Sequence, residues 1–155
     1  VVAMMTQALE ISDRDKVLEI GTGCGYQCAV LAKVCRRVYS IERHEWLLAR
    51  AEAKFEALKL RNITAIAADG MKGWPTMHGI DQAPFDKIIV TAAARSSPPQ
   101  ALLDQLKIGG MMMIPVGESG DQVLKLFKKE SEEAYSARDV MPTRFVPLLP
   151  DVVGG

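Results

Sequence analysis

Apolar positions along the chain alternate between short continuous runs, typical of buried strands, and the three- and four-residue spacing typical of helices. The strand-like runs lie at residues 16–20, 37–42, 63–68, 85–91 and 111–116, and the helix-like segments lie at residues 1–11, 26–35, 44–60 and 98–106. Because strands and helices alternate, the pattern predicts a mostly parallel sheet with helices on both faces.

The alternation ends after the fifth strand. Residues 117–120 separate that strand from a β-favouring run at residues 122–128, which predicts a hairpin, and residues 140–148 predict one more strand. An antiparallel pair at the edge of a parallel sheet accounts for both features. We expect a single α/β domain over residues 1–155, with a loop punctuated by glycine and proline at residues 70–84.

Charge and hydropathy exclude several classes of function. The chain has 155 residues, and its 19 Lys plus Arg balance its 19 Asp plus Glu, so no net field would attract nucleic acid or an anionic membrane. No apolar run approaches the roughly 20 residues of a membrane span, and no signal-peptide pattern is visible. We expect a cytoplasmic, monomeric protein without nucleic-acid or membrane partners.

The cysteines and histidines do not match a metal site. Cys24, Cys28 and Cys35 lie close together in sequence, but His44 and His78 are isolated from them and from each other. A zinc site needs four ligands at suitable spacing. We therefore expect no metal, and we interpret the cysteines as small core or loop residues of a protein in a reducing compartment.

A glycine-rich loop follows the first predicted strand. Residues 17–26 read Val-Leu-Glu-Ile-Gly-Thr-Gly-Cys-Gly-Tyr, which places glycines at every second position after a carboxylate. A strand that ends in such a loop and leads into a helix builds a nucleotide-binding corner. The spacing is G-x-G-x-G and not the G-x-G-x-x-G of dinucleotide folds. Together with Glu19, it favours S-adenosylmethionine (AdoMet) over NAD.

Acidic residues stand near the ends of three predicted strands, where ligands bind in open α/β sheets. Glu19 could attract the ammonium or sulfonium charge of AdoMet. Glu42 follows the glycine loop by about the spacing of an acidic ribose clamp and could accept from both ribose hydroxyls. Asp69 could accept from the adenine amino group. The small residues 91–94, after the fourth strand, form a rim where a substrate could approach the methyl group.

Several segments of the chain resemble the protein-L-isoaspartate O-methyltransferases, particularly the bacterial forms. They are residues 17–26, then Val-Tyr-Ser-Ile-Glu-Arg at 38–43, Asp-Gly at 69–70, Phe-Asp-Lys-Ile-Ile-Val-Thr-Ala-Ala at 85–93, Leu-Lys-Ile-Gly-Gly at 106–110, Ile-Pro-Val-Gly at 114–117 and Arg-Phe-Val-Pro-Leu at 144–148. The glycine loop is shared with many methyltransferases, whereas Thr-Ala-Ala, Ile-Pro-Val-Gly and Phe-Val-Pro-Leu are far more specific. The segments run in family order across nearly the whole chain.

The resemblance implies a fold and a reaction. The fold is the three-layer, Rossmann-like one of class I AdoMet-dependent methyltransferases. The reaction transfers a methyl group from AdoMet to the free α-carboxylate of an L-isoaspartyl residue in a damaged protein or peptide and leaves S-adenosyl-L-homocysteine (AdoHcy); the ester then closes to a succinimide, which reopens partly as normal aspartate. Because a carboxylate is already ionised at neutral pH, no catalytic base is expected.

The resemblance also implies which residues form the site. Cofactor contacts are expected at Glu19, Gly21, Thr22, Gly23, Gly25, Glu42, Arg43, Asp69 and Gly70, and substrate contacts at Thr91, Ala92, Ala93 and Leu148. No residue is assigned a catalytic role. The family also carries a Gly-Gln-Thr-Ile-Ser segment upstream of the position of Val1, which supplies a hydroxyl to the substrate carboxylate. We therefore interpret the chain as an N-terminally truncated core and expect weak AdoMet binding and poor methylation.

Other functions stay open at the level of the sequence. A class I methyltransferase acting on a small phenolic or carboxylic acid would share the glycine loop, and so would a non-catalytic AdoMet-binding module. A dinucleotide dehydrogenase is disfavoured by the glycine spacing and by the lack of a clear hydride-transfer partner.

Overall fold

The computed structural model describes residues 2–154 and contains seven strands and four α-helices. The strands are β1 (Lys16–Ile20), β2 (Arg37–Glu42), β3 (Ile63–Ala67), β4 (Phe85–Val90), β5 (Leu106–Glu118), β6 (Asp121–Lys129) and β7 (Tyr135–Thr143). The helices are α1 (Val2–Ala8), α2 (Tyr26–Val34), α3 (Glu45–Ala57) and α4 (Gln100–Gln105), and a short 3-10 turn spans Gly70–Lys72.

All seven strands join one sheet in the order β3-β2-β1-β4-β5-β6-β7. Strands β1 to β5 pair in parallel, whereas β5 with β6 and β6 with β7 pair antiparallel. The predicted fold class, a mostly parallel sheet with an antiparallel edge, is confirmed. Strand order reverses at β1, which pairs with β2 on one side and β4 on the other, so the ligand crevice of an open sheet is expected there.

The core has two layers because successive side chains of a strand point to opposite faces. Val17 packs in a cluster with Leu31 of α2 and Phe55 of α3. Leu18, the next residue of β1, packs in the other cluster with Phe85 and with Leu102 of α4. Both faces of the central strands are therefore covered, which explains their continuous apolar runs.

Several element boundaries differ from the sequence prediction by a few residues. Helix α1 ends at Ala8, not at residue 11, and the predicted first residue, Val1, lies outside the described residues. Helix α4 ends at Gln105, and the pairing of β4 with β5 jumps from Leu106 to Met111, so residues 107–110 form an irregularity in β5. Gly110 is needed there because a Cβ at that position would lie 2.7 Å from the Asp86 carbonyl oxygen.

The last strand also differs from the prediction of residues 140–148. Strand β7 spans Tyr135–Thr143, and the chain then leaves the sheet. Pro147 forms an isolated parallel bridge with Ala93, beyond the end of β4. An apolar run at residues 145–149 is therefore explained by contact with the carboxyl end of the sheet and not by pairing in a ladder.

Candidate functional site

A cavity of about 350 Å³ lies at the carboxyl ends of the central strands. Eight of the predicted site residues line it: Gly21, Gly23, Glu42, Arg43, Gly70, Thr91, Ala92 and Leu148. They come from the ends of β1 to β4 and from the segment after β7. The structure thus brings together residues that are up to 127 positions apart, counted from Gly21 to Leu148, at the point where strand order reverses.

Glu42, the last residue of β2, presents a carboxylate to this cavity. Its Oε1 accepts from the Gly23 N–H at 2.8 Å, and its Oε2 accepts from the His44 N–H at 2.9 Å. The side chain is 5% exposed. A carboxylate offers about four acceptor positions, so two remain for the hydroxyl groups of a ligand.

The three loop glycines are required for different reasons. A Cβ on Gly21 would lie 2.4 Å from Thr91 Oγ1, and one on Gly25 would lie 2.9 Å from Phe55 Cε1, so both positions are filled by packing. Gly23 has φ +55°, and a Cβ there would meet no described atom within 4 Å. Gly23 is therefore the glycine beside which open space remains for a ligand.

Thr91 ties the end of β4 to the glycine loop. Its hydroxyl lies 3.1 Å from the Ile20 carbonyl oxygen and 2.9 Å from the Gly21 carbonyl oxygen, and its N–H donates to Ile20 at 3.0 Å. Ala92 lies on the cavity wall, whereas Ala93 is buried. The predicted rim is thus held rigidly against β1.

The segment of residues 146–153, called here the C-terminal strap, crosses the carboxyl end of the sheet. At one end Ala93 holds it, with its N–H donating to Val146 and its carbonyl accepting from Leu148, both at 2.8 Å. At the other end Val153 donates to the Arg43 carbonyl at 2.7 Å. The Arg43 guanidinium also donates to the Pro150 carbonyl, from Nη2 at 3.1 Å and from Nε at 3.3 Å.

Four predicted cofactor residues do not line the cavity: Glu19, Thr22, Gly25 and Asp69. Glu19 shares the face of β1 that carries Val17, so its side chain points beneath the glycine loop and is fully buried. Burial raises the pKa of the Glu19 carboxyl to about 8. Asp69 accepts from the Met71 N–H at 2.9 Å and so caps the 3-10 turn.

A second, larger depression adjoins the cavity. Its volume is about 710 Å³, and its walls include Ala93, Arg95 and Glu118. Pro147, Leu148 and Leu149 of the C-terminal strap line both spaces. The strap is therefore a shared wall, and a molecule in the depression would lie next to one in the cavity.

Sequence reasoning missed about half of the cavity wall. The missed residues are mostly apolar: Ile20, Ile41, His44, Leu47, Val146, Pro147 and Leu149. Ile20 and Ile41 could have been found, because each stands at the end of a predicted strand. For the strap residues, the sequence offered only the family-specific Phe-Val-Pro-Leu segment. Its position over the cavity depends on long-range contacts.

Within residues 2–154, no group of three or more His, Cys, Asp or Glu side chains is arranged to hold a metal ion. In the same part of the chain, no helix combines the length and apolar character that crossing a bilayer requires.

A family pattern and two relatives similar to this chain point to one family. The pattern of the protein-L-isoaspartate(D-aspartate) O-methyltransferase (PCMT) family matches residues 1–152. A protein-L-isoaspartate O-methyltransferase from Paramagnetospirillum magneticum is 56% identical over 151 residues, which are 96% of this chain and 67% of that protein. One from Rhodospirillum centenum is 50% identical and is covered to 66%. The chain thus spans about two thirds of the length of these relatives.

Solved structures agree in fold. A protein-L-isoaspartate O-methyltransferase matches with a TM-score of 0.85 at 28% identity, over 97% of this chain and 47% of that one. A Plasmodium falciparum structure titled as a putative protein-L-isoaspartate O-methyltransferase in complex with S-adenosyl-L-homocysteine matches with a TM-score of 0.78 at 22% identity, over 96% of this chain and 72% of that one. The family pattern over residues 1–152, the relatives at 50% and 56% identity and the shared fold lead to one conclusion: the chain belongs to the protein-L-isoaspartate(D-aspartate) O-methyltransferase family.

Proposed function

We propose that this chain carries the AdoMet-binding core of an enzyme that methylates the free α-carboxylate of L-isoaspartyl residues in proteins and peptides. The observation that carries the proposal is the cavity at the reversal point of the sheet, where the Glu42 carboxylate and the open side of Gly23 meet. Family membership names the reaction, and the cavity supplies a place for its cofactor.

The residues of the cavity fit AdoMet chemically. Glu42 has acceptor capacity for the two ribose hydroxyls. The backbone beside Gly23 can be approached closely because no side chain covers it. Gly70 and the apolar side chains of Ile20, Ile41 and Leu47 offer a surface for the adenine ring. A largely apolar pocket with a few placed polar groups is typical of cofactor sites.

In the reaction, the protein residues hold the cofactor and substrate in position and exclude water. Bound AdoMet would supply an electrophilic methyl group on a sulfonium sulfur, which the substrate carboxylate oxygen would take up with release of AdoHcy. Glu42 and the glycine loop orient the nucleoside and amino-acid parts. Thr91 and Ala92 form a fixed rim at the reacting end, and Leu148 keeps water away. The substrate carboxylate needs no base, since it is ionised at neutral pH.

The depression beside the cavity suits a polypeptide substrate. It is larger than the cavity, opens at the surface and shares the wall formed by Pro147, Leu148 and Leu149. Its exposed Arg95–Glu118 pair, 2.8 Å apart, offers both a cation and an anion to flanking groups of a peptide. A small-molecule substrate would not need a space of this size.

The test is a methyl-transfer assay with labelled AdoMet on two synthetic peptides that differ only at one residue, L-isoaspartyl in one and normal L-aspartyl in the other. We expect label to enter the isoaspartyl peptide at least tenfold faster. The labelled ester should release methanol under mild alkali, as an α-carboxyl methyl ester next to an amide does.

Two outcomes would contradict the proposal, and each points to an alternative. Equal labelling of both peptides, or labelling of a small carboxylic acid alone, would indicate a methyltransferase of another specificity. AdoHcy binding measured by calorimetry without turnover on any substrate would indicate a non-catalytic binding module. Absence of AdoHcy binding would contradict the cofactor assignment itself.

A further inference from the structure

Glu19 is a buried acid that the proposed reaction does not use. It lies on the central strand β1 and is fully buried, whereas Glu42, on the neighbouring strand β2, lines the cavity. Its Oε2 has no hydrogen-bond partner among residues 2–154. Burying an acid in this way is unfavourable, so its presence needs a reason beyond packing.

A chain of three side chains joins Glu19 to the glycine loop. Ser40, its register partner on β2, donates from Oγ to Glu19 Oε1 at 2.6 Å. Ser40 Oγ also lies 2.6 Å from the Thr22 hydroxyl. When the Ser40 proton is directed to Glu19, the Thr22 hydroxyl donates to Ser40. All three side chains are buried, and Thr22 is part of the loop between Gly21 and Gly23.

The loop conformation depends on contacts at Thr22. The Gly25 N–H donates to the Thr22 carbonyl at 2.9 Å, and the Thr22 N–H donates to Ile41 at 3.3 Å. The next residue, Gly23, directs its N–H to Glu42 at 2.8 Å. A fixed Thr22 side chain therefore helps to hold the one loop N–H that meets the cavity carboxylate.

We propose that Glu19 is a positioning residue, which holds the glycine loop in its ligand-binding conformation through the Ser40 and Thr22 hydroxyls, and whose charge state is coupled to the charge of the bound cofactor. Only the charge coupling rests on the proposed AdoMet site, because the positioning role concerns the ligand-free protein. The role differs from the direct cofactor contact that the sequence suggested.

The surroundings of Glu19 contain few other charges. Cys28 of α2 and Glu42 of β2 are the titratable neighbours that act on its pKa. On β4, the facing residue is Ile89, which does not titrate. Burial, with a smaller contribution from Glu42, raises the pKa of Glu19 to about 8, and burial together with Glu19 raises the pKa of the Cys28 thiol. A cation in the cavity lined by Gly21 and Gly23, the neighbours of Thr22, favours ionised Glu19.

The first test uses the ligand-free protein. Hydrogen exchange of the amides of residues 21–25 is compared in wild type, Thr22→Val and Thr22→Ser. We expect exchange to rise about five- to tenfold in Thr22→Val, which removes one hydroxyl from the chain, and to return to within twofold of wild type in Thr22→Ser. Thr64→Val is the matched control: Thr64 accepts from Arg37 at the opposite end of β2, so its loss should leave loop exchange unchanged.

The second test measures charge coupling with both cofactor forms. The ratio of the AdoHcy Kd to the AdoMet Kd is determined from pH 6.5 to pH 9 in wild type and Glu19→Gln. The two ligands differ by one methyl group and its sulfonium charge, and the comparison with Glu19→Gln isolates the part of the pH dependence that comes from Glu19. We expect the ratio to rise about three- to tenfold with pH in wild type and to stay flat in Glu19→Gln, whose amide oxygen still accepts from Ser40 but cannot ionise.

The outcomes separate this inference from the proposed function. Unchanged loop exchange in Thr22→Val would overturn the positioning role whether or not a cofactor binds. The same pH profile in wild type and Glu19→Gln would overturn the charge coupling. If wild type bound neither ligand, the proposed function would fail and with it the coupling, while loop exchange would still decide the positioning role.

Discussion

Glu19 and Glu42 are carboxylates on neighbouring strands with opposite surroundings. Glu42 accepts two backbone N–H groups and borders a cavity, whereas Glu19 accepts from one hydroxyl and leaves one oxygen without a described partner. Both side chains point to the same face of the sheet, because Glu19 is the register partner of Ser40 and Glu42 lies two residues further along β2. The difference therefore follows from position along the strand and not from residue type. The two acids are therefore expected to respond differently to removal of their charge.

At Glu42, removal of the charge should weaken ligand binding. In Glu42→Gln, the amide group can accept only through its oxygen, so one of the Gly23 and His44 N–H groups loses its partner. We expect the Kd for AdoHcy to rise about ten- to hundredfold, measured by calorimetry. The matched control is Glu45→Gln, an exposed acid three residues further on, which should stay within twofold. Equal effects of the two variants would contradict the role of Glu42.

At Glu19, removal of the charge should change how stability depends on pH. Its pKa in the folded protein, about 8, lies above the ordinary value of 4.5, so the folded state binds the proton more tightly than the unfolded chain. The stabilisation from the neutral acid is complete below pH 4.5 and is lost as pH rises through 8. As pH rises, we expect the free energy of unfolding to fall by about 2 to 5 kcal/mol more in wild type than in Glu19→Gln.

Urea denaturation of both proteins between pH 5 and pH 9 checks this expectation. Glu52→Gln, an exposed acid on α3, serves as the control and should keep the wild-type pH profile. A Glu19→Gln curve parallel to wild type would show that the acid is not held neutral by the fold.

At the scale of elements, the glycine loop joins β1 to α2 and packs against α3. Gly25 precedes α2 with φ +86°, and a Cβ there would lie 2.9 Å from the Phe55 ring and 3.2 Å from the Ala51 side chain. Side chains of α3 thus occupy the space beside Gly25, where the loop leads into α2. A side chain at this position would separate α2 from α3.

A comparison of two glycines tests this packing. Gly25→Ala carries both backbone strain and overlap with Phe55, whereas Gly120→Ala, with φ +85° in the β5–β6 turn, carries strain alone because no described atom lies within 4 Å of its Cβ. We expect Gly120→Ala to cost about 1 kcal/mol of unfolding free energy and Gly25→Ala about 1 to 3 kcal/mol more. Denaturant titration of both variants measures the difference, and equal costs would exclude a packing role.

At the scale of the whole molecule, the C-terminal strap connects distant parts of the chain. It joins Ala93, beyond β4, to Arg43, beyond β2, and it separates the cavity from the neighbouring depression. No regular ladder holds residues 146–153, so a few hydrogen bonds carry its attachment. At its Arg43 end, two guanidinium bonds to Pro150 add to two main-chain bonds of Val153, which donates to Arg43 and accepts from Glu45.

Loss of those bonds should loosen the strap. We expect Arg43→Met to raise hydrogen exchange of residues 146–153 about threefold to tenfold in the ligand-free protein, because two bonds from a partly exposed cation are removed. AdoHcy should also dissociate faster by a similar factor. Arg14→Met, at an exposed arginine before β1, should leave both rates unchanged. Unaltered strap exchange in Arg43→Met would show that the main-chain bonds suffice.

Local patterns in the sequence are enough to predict the alternating strands and helices, the glycine loop and the position of Glu42 at a strand end, because hydrophobic period and glycine spacing are local properties. The family segments added the identity of the site. The folded chain was needed to show that Glu19 points beneath the loop, that Ala93 binds the strap and that residues 144–148 leave the sheet. Those features depend on which face of a strand is covered and on contacts between residues far apart in the chain, which no local pattern records.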